Sequence, residues 1–342
     1  MSDLNQITNQ LFDRREAMRP TARTWAKHAL FFLITFATVT IAGTLQPFGI
    51  IPIFPDADPQ TWNELYQFIF SLPARYVGLI FDTVYQICTN FAVFKYGVSF
   101  SGSLLFILLC HEFGHYIFCR IYGVDATLPY FIPTPPMLGP AGTFGAFIKI
   151  ISPMPSRRAV FDIGVAGPIA GFVALIPVAL IGFFTFQQAA PAAEIPGGTL
   201  IFSDPLLFKF LAWIFRIDLQ IPMFPNPFYF AAWIGLLVTA LNLIPAGQLD
   251  GGHAIFAVFN KKFHYWAGRI AFVVVVAVSI SGWFLYSSPS GFLFAILLGI
   301  MMRVRHPEPL DSTPLDTKRK LIAVLTLLIF LLCATPFPIQ IK

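Results

Sequence analysis

Charge is what this sequence has least of. Only 11% of its 342 residues are Asp, Glu, Lys or Arg, 56% are hydrophobic, and the mean hydropathy is +0.72. Soluble domains carry about 25% charged residues. So few charges cannot cover a water-facing surface, which excludes a disordered chain and a soluble multidomain enzyme. Cysteine is scarce as well: Cys88, Cys110, Cys119 and Cys333 lie in or beside apolar stretches without CxxC spacing. That excludes a secreted disulfide scaffold and a cysteine zinc site. Internal repeats and low-complexity tracts are missing. The net charge of +5 does not point to nucleic acid, because the basic residues form short clusters between apolar runs. Residues 1–28 mix Asp3, Asp13 and Glu16 with arginines and precede an apolar run too long for a signal h-region, so they read as a retained segment rather than a cleaved targeting peptide.

What the sequence has is apolar runs. A helix needs about 20 residues to cross roughly 30 Å of hydrocarbon. The runs at 29–46, 99–121, 158–185, 228–246 continuing unevenly to 259, 267–286, 290–302 and 320–337 predict an all-α polytopic membrane protein with about seven transmembrane helices. The run 77–94, with Asp82 and Asn90 inside it, fits an interfacial or re-entrant piece better than a span. The polar stretches 47–75, 122–157 and 186–227 carry several prolines each. The latter two are too short for a folded peptide-binding module of about 50 residues or more. Seventeen of the 22 basic residues, in the groups Arg14 to Lys27, Arg120 to Arg158, Lys261 to Arg269 and Arg303 to Lys320, fall on one side of this arrangement. The positive-inside rule makes that side, and the N-terminus with it, cytoplasmic.

Ionisable groups within an apolar helix mark function by default, because placing them in hydrocarbon is costly. Helix 99–121 contains His111-Glu112-Phe113-Gly114-His115. The i, i+4 spacing stacks both imidazoles on one face, where they can share a tetrahedral metal, and Glu112 is placed to reach a water rather than to ligate. This is the HExxH zinc-hydrolase arrangement, in which a glutamate takes a proton from water and delivers it to the leaving amine. By chance a chain with this many His and Glu shows the pattern roughly 0.0015 times. Catalytic zinc normally has a third protein ligand. The candidate acids are Asp125, just past the helix end, and Asp250, in a second apolar region that also holds Asn242. There Pro245, Gly247, Gly251 and Gly252 predict a broken helix, tolerated at membrane depth only where protein or a polar cavity surrounds it.

These residues resemble the site-2 protease family of intramembrane zinc metalloproteases. Its two signatures, HExxH and NxxPxxxxDG, stand unbroken as His111 to His115 and as Asn242-Leu243-Ile244-Pro245-Ala246-Gly247-Gln248-Leu249-Asp250-Gly251. The resemblance covers about 99–260 and extends weakly to Gly167-Pro168-Ile169-Ala170-Gly171 and to Gly142-Thr143-Phe144-Gly145-Ala146-Phe147, which is similar to a membrane-associated extended element of the family. It implies that His111, His115 and Asp250 bind one Zn2+ per chain, that Glu112 is the catalytic base and acid, and that Asn242 steadies the oxyanion. It implies a peptidase acting on transmembrane segments of other membrane proteins within the lipid bilayer, with no nucleic-acid partner. The organisation is then a cytoplasmic segment 1–28, a first transmembrane helix with an external or interfacial segment over 29–98, a metalloprotease core 99–260 and C-terminal transmembrane helices 261–342. Without room for a PDZ module, the chain is similar to the compact members, in a bacterial inner membrane or an organellar one.

A bland reading stands beside each of these. Gly167 and Gly171 fit close helix packing, and Asn242 could be interhelical glue. His253, three residues past Asp250, reads as a neighbour of the site rather than a ligand; His28, His264 and His306 sit at charged boundaries and read as interfacial. The stretch 142–150 could receive an unwound substrate strand by edge pairing or be a plain amphipathic loop. A transporter would suit a broken helix but not Glu112 between paired histidines. A silent scaffold would be marked by a departure at Glu112 or a ligand, and there is none.

Overall fold

The computed structural model describes residues 20–45, 60–137, 140–188, 200–221, 224, 226–288, 290–304 and 306–341. Residues 1–19 of the expected N-terminal segment 1–28 lie outside them. Among the described residues the chain is 71% helical, with ten α-helices and two small antiparallel ladders. In order they are α1 (Ala22–Leu45), α2 (Trp62–Thr89), α3 (Phe91–Ile121), β1 (Tyr130–Pro133), β2 (Thr143–Phe147), α4 (Arg157–Phe184), β3 (Leu200–Phe202), α5 (Leu206–Phe215), α6 (Pro227–Asn242), α7 (Asp250–Val258), α8 (Lys261–Tyr286), α9 (Ser290–Met301), α10 (Thr317–Cys333) and β4 (Ile339–Ile341). Four of them, α1, α3, α4 and α8, are long and apolar enough to cross a membrane, while α5, α6 and α9 are shorter apolar helices. The chain is an integral membrane protein by this measure; the count of seven is not fixed by helix length.

The region before residue 99 departs from the sequence expectation. Residues 62–75 of the supposed polar stretch and 77–89 of the interfacial run share one helix, α2, which continues through Pro73 to Thr89; 47–59 lie outside the described residues. The cut comes at Asn90, whose side chain accepts from the backbone N–H groups of Ala92 and Val93 and so starts α3 eight residues before position 99. The stretch 186–227 likewise holds α5, an apolar helix on the protein surface.

Helix α4 is the centre of the bundle. Its Phe161 and Leu175 are fully buried, as are Leu104 and Leu105 of α3, Phe208 of α5 and Leu236 of α6. At one end of the bundle, Arg319 of α10 grips Asp162 of α4 through Nε (2.9 Å) and Nη2 (2.6 Å), and the Tyr122 hydroxyl at the end of α3 donates to the same carboxylate. At the other end the Asn226 side chain caps α6 and donates to the Gly182 carbonyl (3.2 Å) of α4. The β1–β2 hairpin lies along α1. Tyr130 packs on His28, ring centroids 4.0 Å apart, and the Thr38 hydroxyl donates to the Gly142 carbonyl at 2.8 Å. Ten residues of α1 separate these contacts, about 15 Å of helix, so the extended element descends beside a candidate span.

Candidate metal centre

His111, Glu112 and His115 are buried in the last three turns of α3, and the two imidazoles face α4. Three glycines of α4 make that approach possible. A Cβ at Gly167 would lie 2.1 Å from His115 Nε2, one at Gly171 would lie 3.1 Å from His111 Nδ1, and one at Gly164 would lie 2.7 Å from the Cβ of His253. The small residues therefore do more than bring helices together: they supply the volume the imidazoles occupy.

Asp250 arrives from the other side, at the first position of α7. Between Asn242 and Asp250 the helix is interrupted; Gly247 adopts φ +56, a left-handed conformation that an L side chain rarely takes. Gly251 lets the first turn of α7 fold back on the interruption, since a Cβ there would lie 2.0 Å from the Leu243 carbonyl oxygen. The broken helix expected from Pro245 and the glycines is thus present, and it aims Asp250 and Asn242 at the same point as α3.

The geometry there is tight. His111 Nε2 lies 3.1 Å from Asp250 Oδ2 and 3.2 Å from His115 Nε2, and His115 Nε2 lies 3.4 Å from Asp250 Oδ1. His115 Nδ1 donates to the Ile163 carbonyl at 2.7 Å, which commits that proton and leaves Nε2 as a lone pair in the neutral ring. Lone pairs and a carboxylate held this close in a buried place repel one another unless a proton or a metal ion lies among them. One ligand atom from each of the three residues lies within 4.8 Å of the others, so the donor set fits a metal, and two imidazoles with one carboxylate fit zinc. Asn242 Nδ2 stands 3.4 Å from His111 Nε2, an amide donor at the edge of the group. Asp125, the other acid considered, lies apart, its backbone N–H bonded to Ser152 Oγ.

The donors open on a cavity of about 660 Å³, lined also by Glu112, Asn242 and His253, by residues 146–150 at the end of β2, and by Pro307 and Glu308 from beyond α9. Three features here were missed in the sequence. The Ile163 carbonyl carries no side-chain signal. Asp162 did carry one, an acid in an apolar helix, but its partner Arg319 is 157 residues away. His306 read as interfacial, yet its ring stacks on Phe256 and bonds to His253.

The chain is similar to proteins of known naming. The model of peptidase family M50 matches residues 99–281, more than half the chain. Relatives include probable zinc metalloprotease EGY2, chloroplastic, of Oryza sativa subsp. japonica, 29% identical over 274 residues (79% of this chain, 48% of that protein). The Arabidopsis thaliana protein of the same name is 26% identical, over 79% of this chain and 47% of the relative. Probable zinc metalloprotease EGY1, chloroplastic, of Arabidopsis thaliana is 29% identical over 243 residues, 68% of this chain and 42% of the relative. The chain therefore spans about half the length of the curated relatives it matches. No solved structure matches it. With both signatures converging on one buried donor set, the chain belongs to peptidase family M50, the site-2 proteases.

Proposed function

We propose that this protein is an intramembrane zinc endopeptidase that hydrolyses peptide bonds in or near transmembrane segments of membrane-protein substrates. The observation that carries the reading is Glu112 at the wall of a cavity, adjoining the buried His111 and His115 and the partly buried Asp250. Those three side chains hold the ion, with Ile163 fixing the His115 ring from behind. Zinc, when bound, supplies Lewis acidity toward water and the scissile carbonyl. Glu112 accepts a proton from the attacking water and passes it to the departing amine nitrogen. The Asn242 amide donates toward the oxygen on which negative charge develops. Residues 143–148 receive the unwound substrate along the edge of β2 away from β1, an edge that pairs with no strand among the described residues; proline substitutions there lower cleavage without changing bound zinc.

Seven crossings follow if α6 with α7 counts once and α2 lies outside the count; the N-terminus is then cytoplasmic, in a bacterial inner membrane or an organellar one. The ligands lie five to nine residues before Arg120, roughly 8–14 Å from the cytoplasmic end of α3. Cysteines placed at Pro153 and Lys261, in a background without native cysteines, react with an impermeant reagent from the cytoplasmic face. Labelling from the opposite face overturns both the orientation and the proposed water route.

The chemical test is direct. Glu112→Gln keeps zinc and loses turnover on a panel of single-span substrates, because the ligands survive and the proton acceptor does not. His111→Ala, His115→Ala and Asp250→Ala each lose bound zinc as well as activity. Full zinc in the Asp250 variant, or cleavage by the Glu112 variant, refutes the corresponding assignment.

A further inference from the structure

Three histidines that take no part in the metal centre gather beside it. His253, on the first turn of α7, lines the cavity and places its Nδ1 2.7 Å from Nε2 of His306. His306 is held in turn: its ring stacks on Phe256 with centroids 4.1 Å apart, His264 stands at 5.1 Å, and its Nδ1 is 2.8 Å from the Pro307 carbonyl. A carbonyl only accepts, so His306 Nδ1 carries a proton. Burial, with His253 and His264 adding to it, pushes the His306 pKa down to about 3, so the ring is neutral and its Nε2 is a lone pair. His253 Nδ1 must then donate, and the neutral His253 ring has its own lone pair on Nε2. With Nδ1 taken by His306, Nε2 is the nitrogen left to the cavity.

That acceptor has something to do. A substrate helix that unwinds in the cavity exposes main-chain N–H groups, which are costly to leave unpaired away from water. Of the polar side chains already placed around the site, His111, His115 and Asp250 are given to the metal, Glu112 to the proton, Asn242 donates, and the Glu308 carboxylate is paired with Lys261. We infer that His253 is a further residue of the reaction, its Nε2 accepting a hydrogen bond from a main-chain N–H of the unwound substrate, and that His306 is the positioning residue that fixes its tautomer. The inference rests on the peptidase reading above.

Two near-isosteres separate the roles of the two ring nitrogens. Asn at 253 has an amide near the Nδ1 position and can still donate to His306, but it lacks the group that reaches the cavity; Gln places an oxygen acceptor near the Nε2 position. In the full-length, zinc-loaded protein with a single-span peptide substrate, His253→Asn keeps zinc and lowers kcat/KM about tenfold, the worth of one hydrogen bond. His253→Gln recovers most of that loss. His306→Gln, whose oxygen can accept from His253, recovers what His306→Ala loses. In a Glu112→Gln background, where nothing turns over, His253→Asn weakens binding of the same peptide about tenfold. Unchanged kcat/KM and binding in His253→Asn overturn the inference, reducing the pair to a structural latch. Loss of zinc in that variant overturns it too, making His253 a ligand. A wild-type protein that cleaves nothing in the panel strikes at the peptidase reading itself, and the binding arm still decides what His253 does.

Discussion

Helices α4 and α8 are nearly matched by hydropathy and opposite in surroundings. Over their most apolar 18-residue windows the means are 2.2 and 2.0, yet 61% of the α4 window is buried inside the protein and only 17% of the α8 window. The difference lies in side-chain size. Helix α4 carries Gly164, Gly167 and Gly171 on the side that meets the histidines, whereas α8 runs Val273-Val274-Val275-Val276, with Val273, Val274 and Ile270 exposed. Lipid tails are as apolar as a leucine, so hydropathy says only that a helix can cross; small residues say that another backbone comes close. In this chain they also say where the imidazoles go.

The largest effect that would break the comparison is at Gly167. Gly167→Val puts side-chain atoms where His115 Nε2 stands, and both bound zinc and cleavage should fall by about 100-fold or more, the order of losing a correctly placed ligand. Metal analysis of the purified variant decides it; retained zinc would mean that α4 can move aside without dispersing the donors. Smaller is the loss of the clamp at the end of α4. Arg319→Gln leaves the Asp162 carboxylate largely buried without its cation, which should cost about 3 kcal/mol in denaturant unfolding. An unchanged midpoint would show that water reaches Asp162. The smallest effect sharpens the contrast: Val273→Ala on α8 should change stability by less than about 0.5 kcal/mol, as expected for a side chain facing lipid. A larger loss would reveal a protein partner on that face.

The parts legible in the sequence are those written in local pattern. Spacing alone put His111 and His115 on one face and Glu112 beside them, and Pro245 with the neighbouring glycines announced the interruption that presents Asp250. The family resemblance then joined the two regions, and the structure brings their donor atoms together. What stayed hidden depends on distance along the chain or on groups without side-chain identity. Nothing local to Ile163 marks its carbonyl as the partner of His115, and nothing near His306 tells that it reaches His253, 53 residues earlier. The misplaced start of α3 has a different cause. Polarity averaged over 47–75 and 77–94 hid α2, because Glu64, Pro73 and Asp82 lowered its apolar signal although Thr61 gives it a regular N-cap.

The Asp162–Arg319 pair also sets an order in time. Chains are made at about 5–20 residues per second, so the 157 residues between the two partners take roughly 8–30 s to synthesise. Tyr122, made earlier, is the one member of the clamp available to Asp162 when α4 first packs against α3. Until α10 emerges, the half-built bundle carries an acid without its cation, and the arrival of Arg319 closes that interval.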